Sequence, residues 1–214
     1  MKKAVIFDMD GVIVESEDAH IEVEKQIMLK RGIRISNEEL HKYTGSTARF
    51  MFAKLIEKYS LKDSVEDMEN EKEETLLKLV QNDMKPTKGV ITLIKKLKKL
   101  KVKLGVASGS SRQSINCILG NLKIVKLFDA IVGAEDIQHS KPDPEIFLVA
   151  AQKLKVKPFD CVVIEDAYFG VEAAKQAGMK CIGYRNPHSG DQNLSKADNI
   201  IESFSGLEIN FLLS

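Results

Sequence analysis

The sequence predicts an α/β protein: a parallel sheet with helices on both faces and a small all-helical domain inserted after the first strand. From residue 86 onward, short apolar runs alternate with helical patterns, which is typical of parallel βαβ units joined by right-handed crossovers. Residues 16–83 instead contain helical patterns and no convincing strand. We therefore expect a Rossmann-like core formed by residues 1–15 and 84–214, and a helical cap domain at residues 16–83.

The individual elements follow from the spacing of apolar residues. The first strand is the apolar run at residues 5–7. The helices expected in the insertion are residues 19–30, 37–43, 47–59 and 65–81. The strands expected after it are residues 103–108, 130–134, 161–165, 180–184 and 199–201, between helices at 90–101, 111–122, 144–154 and 169–177. Ser36 and Ser46 precede two insertion helices, and we expect their hydroxyls to cap them.

Composition excludes several classes of partner. The 214 residues are 43% hydrophobic and 29% charged, which is ordinary for a globular protein. Lys and Arg number 32 against 31 for Asp and Glu, so a net charge of +1 indicates neither nucleic acid nor an anionic membrane surface. The sequence contains no signal peptide and no apolar run of transmembrane length. We expect a cytoplasmic monomer that acts on a small molecule.

The most informative segment is Val-Ile-Phe-Asp-Met-Asp-Gly-Val at residues 5–12. A buried strand here delivers Asp8 and Asp10 to its carboxyl end, where open α/β sheets bind their ligands. Carboxylates are rarely buried unless they are paired or coordinate a metal. An Asx-type turn after the strand is the structural alternative.

Polar groups also follow other predicted strands. Glu165 and Asp166 end the strand at residues 161–165, so carboxylates from two strands meet at one edge of the sheet. No His or Cys lies near them in sequence, and such an all-oxygen donor set favours Mg²⁺.

A phosphate site is expected beside these carboxylates. Ser108 ends a strand, and the backbone amides of Gly109 and Ser110 open the next helix, where an N-terminus favours phosphoryl oxygens. Lys141, in the loop before the helix at Pro144, supplies a cation for the phosphoryl oxygens and for Asp8. An aspartate nucleophile that forms an aspartyl-phosphate is an accepted catalytic route.

These motifs, in this order, resemble the haloacid dehalogenase superfamily of phosphotransferases over nearly the whole chain. The matching segments are Asp8-Met-Asp10-Gly-Val, Ser108, Lys141-Pro-Asp-Pro and Glu165-Asp166-Ala-Tyr-Phe-Gly-Val. A helical insertion after the first strand resembles the branch that is similar to β-phosphoglucomutase and the sugar-phosphate phosphatases.

The resemblance implies a role for each motif residue. Asp8 attacks phosphorus, and Asp10 protonates the leaving oxygen and later takes a proton from water. Ser108 and Lys141 hold the transferring phosphoryl group. The implied Mg²⁺ ligands are Asp8, Asp10 through its backbone carbonyl, Asp166, and Glu165 either directly or through water. Members that act on carbon–halogen bonds lack a carboxylate at Asp10, so this aspartate favours phosphoryl transfer.

The insertion is expected to set substrate specificity. A histidine in the mutase branch matches His20 and couples cap closure to catalysis, although an ordinary helix-surface histidine is an equal alternative. The glycine-hydroxyl pattern around residue 45 resembles the cap loop that meets substrate. The expected substrate-binding residues are His20, Gly45, Ser46, Thr47, Arg49, Ser108, Gly109, Ser110 and Lys141.

Departures from the mutase pattern favour hydrolysis. Ala48 and Ser111 stand where the mutase carries cations, and Arg49 and Arg112 each come one residue later. Lys78 could match a further substrate lysine, but a solvated helix face is the better interpretation. We therefore expect a Mg²⁺-dependent phosphatase acting on a phosphorylated metabolite, a sugar phosphate in the first instance. The alternative is a β-phosphoglucomutase-type phosphotransferase.

A signalling module is the remote alternative. Response-regulator receiver domains also combine an acidic pair, a phosphorylated aspartate, a hydroxyl and a lysine on a parallel sheet. A receiver needs neither a second carboxylate two residues after the nucleophile nor a large insertion, and this chain has both.

Overall fold

The architecture is a six-stranded parallel sheet in the strand order β3-β2-β1-β4-β5-β6. A computed structural model describes residues 2–214, without the side chains of residues 80–83. The strands are β1 (Ala4–Phe7), β2 (Lys103–Ala107), β3 (Ala130–Val132), β4 (Cys161–Glu165), β5 (Lys180–Tyr184) and β6 (Asn199–Ile201). Every neighbouring pair is parallel, which confirms the predicted fold class.

Helices connect the strands and cover both faces of the sheet. They are α1 (Glu17–Lys30), α2 (Asn37–His41), α3 (Ala48–Tyr59), α4 (Val65–Asp83), α5 (Val90–Lys99), α6 (Arg112–Asn121), α7 (Glu145–Leu154), α8 (Tyr168–Gln176) and α9 (Ile209–Leu213). Successive side chains of a strand point to opposite faces. Val5 and Phe7 accordingly pack in one apolar cluster with residues of α5 and α6, and Ala4 and Ile6 in another with residues of α7 and α8. Within residues 2–214, no helix combines the length and apolar character needed to cross a membrane.

Helices α1–α4 form a helical block between β1 and α5. Two chain segments join this block to the sheet, and they pair with each other: Val14 and Pro86 form an antiparallel bridge. The Glu15 amide donates to the Lys85 carbonyl at 2.9 Å, and the Thr87 amide donates to the Ile13 carbonyl at 3.0 Å. The entry and exit of the block therefore lie side by side. The domain boundaries at residues 15/16 and 83/84 stay a prediction.

One predicted helix cap is wrong. Thr47, not Ser46, caps α3: its side chain accepts from the Phe50 amide at 3.2 Å. Ser46 instead donates to the Tyr43 carbonyl at 2.7 Å, because it lies in the turn that precedes the helix. Ser36 does cap α2, where it accepts from the Glu39 amide at 3.2 Å. Helix α9 was not predicted, because five residues are too few to show a helical period.

Two glycines in helices differ in the space around them, one being tightly packed and the other open. Substituting both tests the packing between β4 and α8. A Cβ on Gly170 in α8 would lie 1.7 Å from Oε1 of the fully buried Glu165. A Cβ on Gly120 in α6 would meet nothing within 4 Å.

We predict that Gly170→Ala lowers the free energy of unfolding by at least about 1–3 kcal/mol, because the buried carboxylate must move. Gly120→Ala is the matched control and should stabilise by about 0.5–1 kcal/mol through helix propensity alone. Urea denaturation measures both values. Equal effects of the two substitutions would contradict the close approach of α8 to Glu165.

Candidate active site

The sheet brings the predicted motif residues together at its carboxyl edge. Strand β1 lies between β2 and β4, so the residues that follow these three strands become neighbours. Asp8 follows β1, Ser108 follows β2, and Glu165 ends β4. Lys141 reaches the same place from the loop before α7. All four side chains are buried.

Lys141 holds two carboxylates at once. Its Nζ donates to Asp8 Oδ1 at 2.6 Å and to Glu165 Oε1 at 2.7 Å, and it lies 5.1 Å from the centre of the Phe147 ring. The side chain is only 1% exposed. Burial disfavours the ammonium, but Asp8 and Glu165 outweigh that effect and hold the pKa of Lys141 above its usual value. Lys141 is therefore a fixed positive charge beside Asp8.

The negative charge of Asp8, Glu165 and Asp166 exceeds the single positive charge of Lys141. Burial raises the pKa of Asp8 well above its usual range, and Glu165 and Asp166 raise it further against the opposing effect of Lys141. Burial, followed by the charge of Glu165, raises the pKa of Asp166 to about 7. In a low-dielectric site such repulsion favours either a bound proton or a bound cation.

Asp166 is fixed by a loop that sequence reasoning did not identify. Its Oδ2 accepts from Asn186 Nδ2 at 3.1 Å and from the Ser189 hydroxyl. Asn186 also donates to the Gly11 carbonyl at 3.1 Å. Gly11 has a φ of +78°, and a Cβ there would lie 2.0 Å from Asp166 Oδ2. The close approach of Asp166 to the turn after β1 therefore requires glycine at position 11.

The donor set fits a hard divalent cation in part. Among the described residues, no hydrogen bond reaches Asp8 Oδ2 or Asp166 Oδ1, so each carboxylate keeps one oxygen for a metal. Both oxygens of Glu165 are engaged, Oε1 by Lys141 and Oε2 by the Ala167 amide at 2.7 Å. Because both oxygens are engaged, Glu165 is better placed to contact a metal ion through a water molecule than to bind it directly.

The predicted metal ligands do not form a closely gathered cluster. Within the described part of the chain, the grouping with all ligand atoms within 4.8 Å of one another is His139, Asp143 and Glu145, near the start of α7. Glu145 Oε2 there already accepts from the amides of Gln138 and His139, at 3.0 and 2.8 Å. That grouping is accounted for by hydrogen bonds within the loop and the first turn of α7.

Asp10 connects the helical block to the sheet. Its Oδ1 accepts from the Ser16 hydroxyl at 2.6 Å and from His20 Nε2 at 3.0 Å, whereas its Oδ2 accepts from the hydroxyls of Ser108 at 3.0 Å and Ser110 at 2.7 Å. Burial alone would raise the pKa of Asp10, but the charge of His20 and the hydrogen bonds together hold it below its usual range. His20 therefore lies in the site rather than on an ordinary helix surface.

The loop before α3 closes over this edge of the sheet. A Cβ on Gly109 would lie 2.6 Å from the Ser46 carbonyl oxygen, and a Cβ on Gly45 would lie 2.6 Å from Ala167 Cβ. The cavity beneath has a volume of about 570 Å³. Its lining includes the predicted residues Asp8, Asp10, His20, Gly45, Ser46, Thr47, Arg49, Gly109 and Ser110.

Arg49 and Arg112, which each come one residue after a cationic position of the mutase, both form ion pairs with acidic side chains. Arg49 lines the cavity but forms an ion pair with Glu69 at 2.8 Å. Arg112 lies outside the lining and pairs with Asp136. The position before it, Ser111, donates its hydroxyl to Glu73 of α4. Lys78 is exposed and does not line the cavity, in agreement with a solvated helix face.

Sequence reasoning missed several residues that contact or line the site, among them Ser16, Glu17, Glu73, Asn186 and Ser189. Ser16 is a small hydroxyl at the start of α1, and its position six residues after Asp10 gave no signal. Glu17 and Glu73 lie on helices that are charged on several sides, so neither stood out. Asn186 and Ser189 lie in a loop about 20 residues after Asp166, where no motif marks them.

The chain is similar to known proteins over most of its length. A model of the haloacid dehalogenase-like hydrolases matches residues 5–184. The phosphorylated carbohydrates phosphatase of Thermotoga maritima is 33% identical, over 84% of this chain and 83% of that protein. The β-phosphoglucomutase of Bacillus subtilis is 34% identical, over 98% and 93%. A crystal structure of β-phosphoglucomutase from Clostridium difficile aligns with a TM-score of 0.86 at 31% identity, covering 99% of this chain and 95% of that one.

The raised pKa of Asp166 predicts how stability depends on pH when no metal is bound. The folded protein holds the Asp166 proton up to a pH of about 7, whereas the unfolded chain releases it near 3.8. The stabilisation is therefore full below pH 3.8 and is lost as the pH rises through about 7. At 1.36 kcal/mol per pH unit, the loss amounts to about 4 kcal/mol.

We predict that, in EDTA, the free energy of unfolding of the wild type falls relative to that of Asp166→Asn as the pH rises from 4 to 8. Chemical denaturation at several pH values measures the difference. Saturating Mg²⁺ should restore the wild type at pH 8 and have little effect on the variant, because the variant lacks the carboxylate. Parallel pH curves for the two proteins would contradict the prediction.

Proposed function

This chain belongs to the haloacid dehalogenase-like hydrolases, and from that premise we propose that it is a Mg²⁺-dependent phosphatase acting on a phosphorylated carbohydrate. The observation that carries the proposal is the contact of Lys141 with Asp8 at 2.6 Å, beside Asp10 and its ring of hydroxyl donors. A buried cation next to a buried carboxylate orients a nucleophile toward an anionic phosphoryl group. The phosphatase of Thermotoga maritima, named for phosphorylated carbohydrates, supports the substrate class.

In the proposed reaction, an Asp8 oxygen forms a bond to phosphorus while the bond from phosphorus to the leaving oxygen breaks. Asp10 gives its proton to that oxygen, and the sugar departs as an alcohol. Asp10 then takes a proton from water, whose oxygen attacks phosphorus. The bond to Asp8 breaks, inorganic phosphate leaves, and Asp8 is regenerated.

The metal has a supporting part in this proposal. Asp8, Asp166 and the Asp10 carbonyl would hold Mg²⁺, which would neutralise phosphoryl charge and Asp8 together. Glu165 would position Lys141, since both its oxygens are engaged. Lys141 and Ser108 would bind phosphoryl oxygens.

The low pKa of Asp10 keeps the carboxylate ionised, which is the form that accepts a proton, and it must rise before Asp10 can act as an acid. Ser108 and Ser110 donate to Asp10 in this structure. A bound phosphoryl group would take these hydroxyls for its own oxygens and place negative charge nearby. Both effects raise the pKa of Asp10 and favour its protonated form. Substrate binding would thus prepare the acid that the first step needs.

The mutase alternative is supported by the 34% identity to β-phosphoglucomutase of Bacillus subtilis. A mutase must retain a bisphosphate while it turns over in the site. The positions that would hold its distal phosphate are occupied differently here, since Arg49 is paired with Glu69 and Ser111 donates to Glu73. Hydrolysis needs a single phosphoryl site and access for water, and we favour it for that reason.

We predict that Asp8→Asn abolishes phosphate release from sugar phosphates in the presence of Mg²⁺, because an amide cannot form the aspartyl-phosphate. A phosphate-release assay measures this, and wild-type activity should disappear in excess EDTA. Asp18→Asn is the matched control, since Asp18 has an 80% exposed side chain in the first turn of α1 and does not line the cavity. A folded Asp8→Asn variant that kept about a tenth of wild-type activity would reject the nucleophile role. Such a variant would have lost only about 1.4 kcal/mol of transition-state stabilisation.

We also predict that free phosphate is the main product from β-glucose 1-phosphate supplied with a trace of glucose 1,6-bisphosphate. The reason is the loss of two cationic contacts to a distal phosphate, each worth about 1.5–3 kcal/mol. The assay follows free phosphate and glucose 6-phosphate in parallel. Faster formation of glucose 6-phosphate, with the excess removed by Arg49→Ala, would establish the mutase instead.

A further inference from the structure

The cavity between the helical block and the sheet is strongly acidic. Besides Asp8 and Asp10, its lining contains the carboxylates of Glu17, Glu24, Glu66, Glu69, Glu73 and Glu135. Its lysine and arginine are already paired: Lys72 with Glu24 at 2.5 Å and Arg49 with Glu69 at 2.8 Å. Within residues 2–214, no cationic side chain pairs with the other four glutamates.

Glu17 is the buried one of these four glutamates. It is 7% exposed and lines the cavity from the first turn of α1. Among the described residues, no hydrogen bond or ion pair reaches its carboxylate. Burial, followed by the charges of Asp166 and Asp10, raises the pKa of Glu17. A buried carboxylate without a donor is costly, and a cation supplied by a ligand would remove that cost.

Glu73 presents a second carboxylate to the same cavity. Its partners are hydroxyls, from Ser111 and from Ser114 at 3.0 Å, in the first turn of α6. These neutral donors leave its negative charge uncompensated. The Arg112 amide at the N-terminus of α6 donates to another carboxylate of the lining, Glu135, at 3.0 Å, so negative charge already lies at the helix end that would otherwise attract an anion. The cavity therefore repels a second phosphate at this point and attracts a cation.

We propose that the acidic lining of this cavity, to which Glu17 on α1 and Glu73 on α4 each contribute a carboxylate, is a subsite that binds an ammonium group on the leaving alcohol of the substrate. The preferred substrates are then phosphate esters of amino alcohols and amino sugars, rather than bisphosphates or neutral sugar phosphates. This inference rests on the proposed phosphatase activity. It adds the chemical class of the leaving group.

Two matched substrate pairs test the subsite, each with an ammonium in place of a hydroxyl. They are glucosamine 6-phosphate against glucose 6-phosphate, and phosphoethanolamine against ethylene glycol monophosphate. Phosphate release gives kcat/KM for each compound with Mg²⁺ present. We expect the amine to be preferred by at least about tenfold in one of the pairs, since a charge-assisted hydrogen bond is worth about that much.

Variants assign the preference to the two glutamates. Glu73→Gln should reduce the amine-to-hydroxyl ratio of kcat/KM about 10- to 100-fold, and Glu17→Gln should also reduce it. Glu74→Gln, an exposed neighbour on α4 outside the cavity, is the matched control and should keep the wild-type ratio. Thermal melting establishes that each variant is folded. Because the two glutamates lie on different helices, one variant still tests the subsite if the other fails to fold.

The outcomes separate the two proposals. The subsite is overturned if the amine and hydroxyl esters have kcat/KM values within about threefold of each other in both pairs. That result leaves the proposed phosphatase activity intact. An amine preference that persists in both variants also overturns the subsite. Failure of every phosphate ester, including the sugar phosphates used above, rejects the phosphatase itself.

Discussion

The concentration of carboxylates at one edge of the sheet is the constraint on which the site depends. Parallel packing of β2, β1 and β4 places Asp8, Glu165 and Asp166 together in a buried region, where like charges repel strongly. Lys141 offsets part of that repulsion and in doing so fixes the loop before α7. The remaining negative charge is what makes the site receptive to a cation. A neutral edge would be more stable and would have no affinity for one.

Asp10 transmits the state of the helical block to this edge. Its four donors come from both parts of the molecule: Ser16 and His20 from the start of the block, and Ser108 and Ser110 from the loop after β2. Movement of α1 away from the sheet would remove the first two donors and change the pKa of Asp10. Because these donors lower the pKa of Asp10, their loss would raise it, so the position of the block affects the acidity of Asp10.

Most of the fold, and the placement of the motif residues, followed from the sequence because both depend on local patterns. Apolar runs that end in Asp8, Ser108 and Glu165 specify strands and also which side chains reach the carboxyl edge. Asn186 and Glu73 could not be found in this way, because their contacts join loops and helices far apart in the chain. The direction of Arg49 depended on an ion pair with Glu69 across two helices, which no spacing rule supplies.

Glu73 shows how a phosphatase and a mutase can differ without any change in the reacting groups. Both reactions need the residues around Asp8, so the choice between them must be made where the rest of the substrate lies. A cation at position 111 would hold a distal phosphate, whereas Ser111 with Glu73 places an anion there instead. In the proposed phosphatase reaction, the intermediate would then lose its sugar partner before a second transfer, and water would become the acceptor. The acidic lining that attracts an ammonium group is, on this account, the same feature that prevents isomerisation.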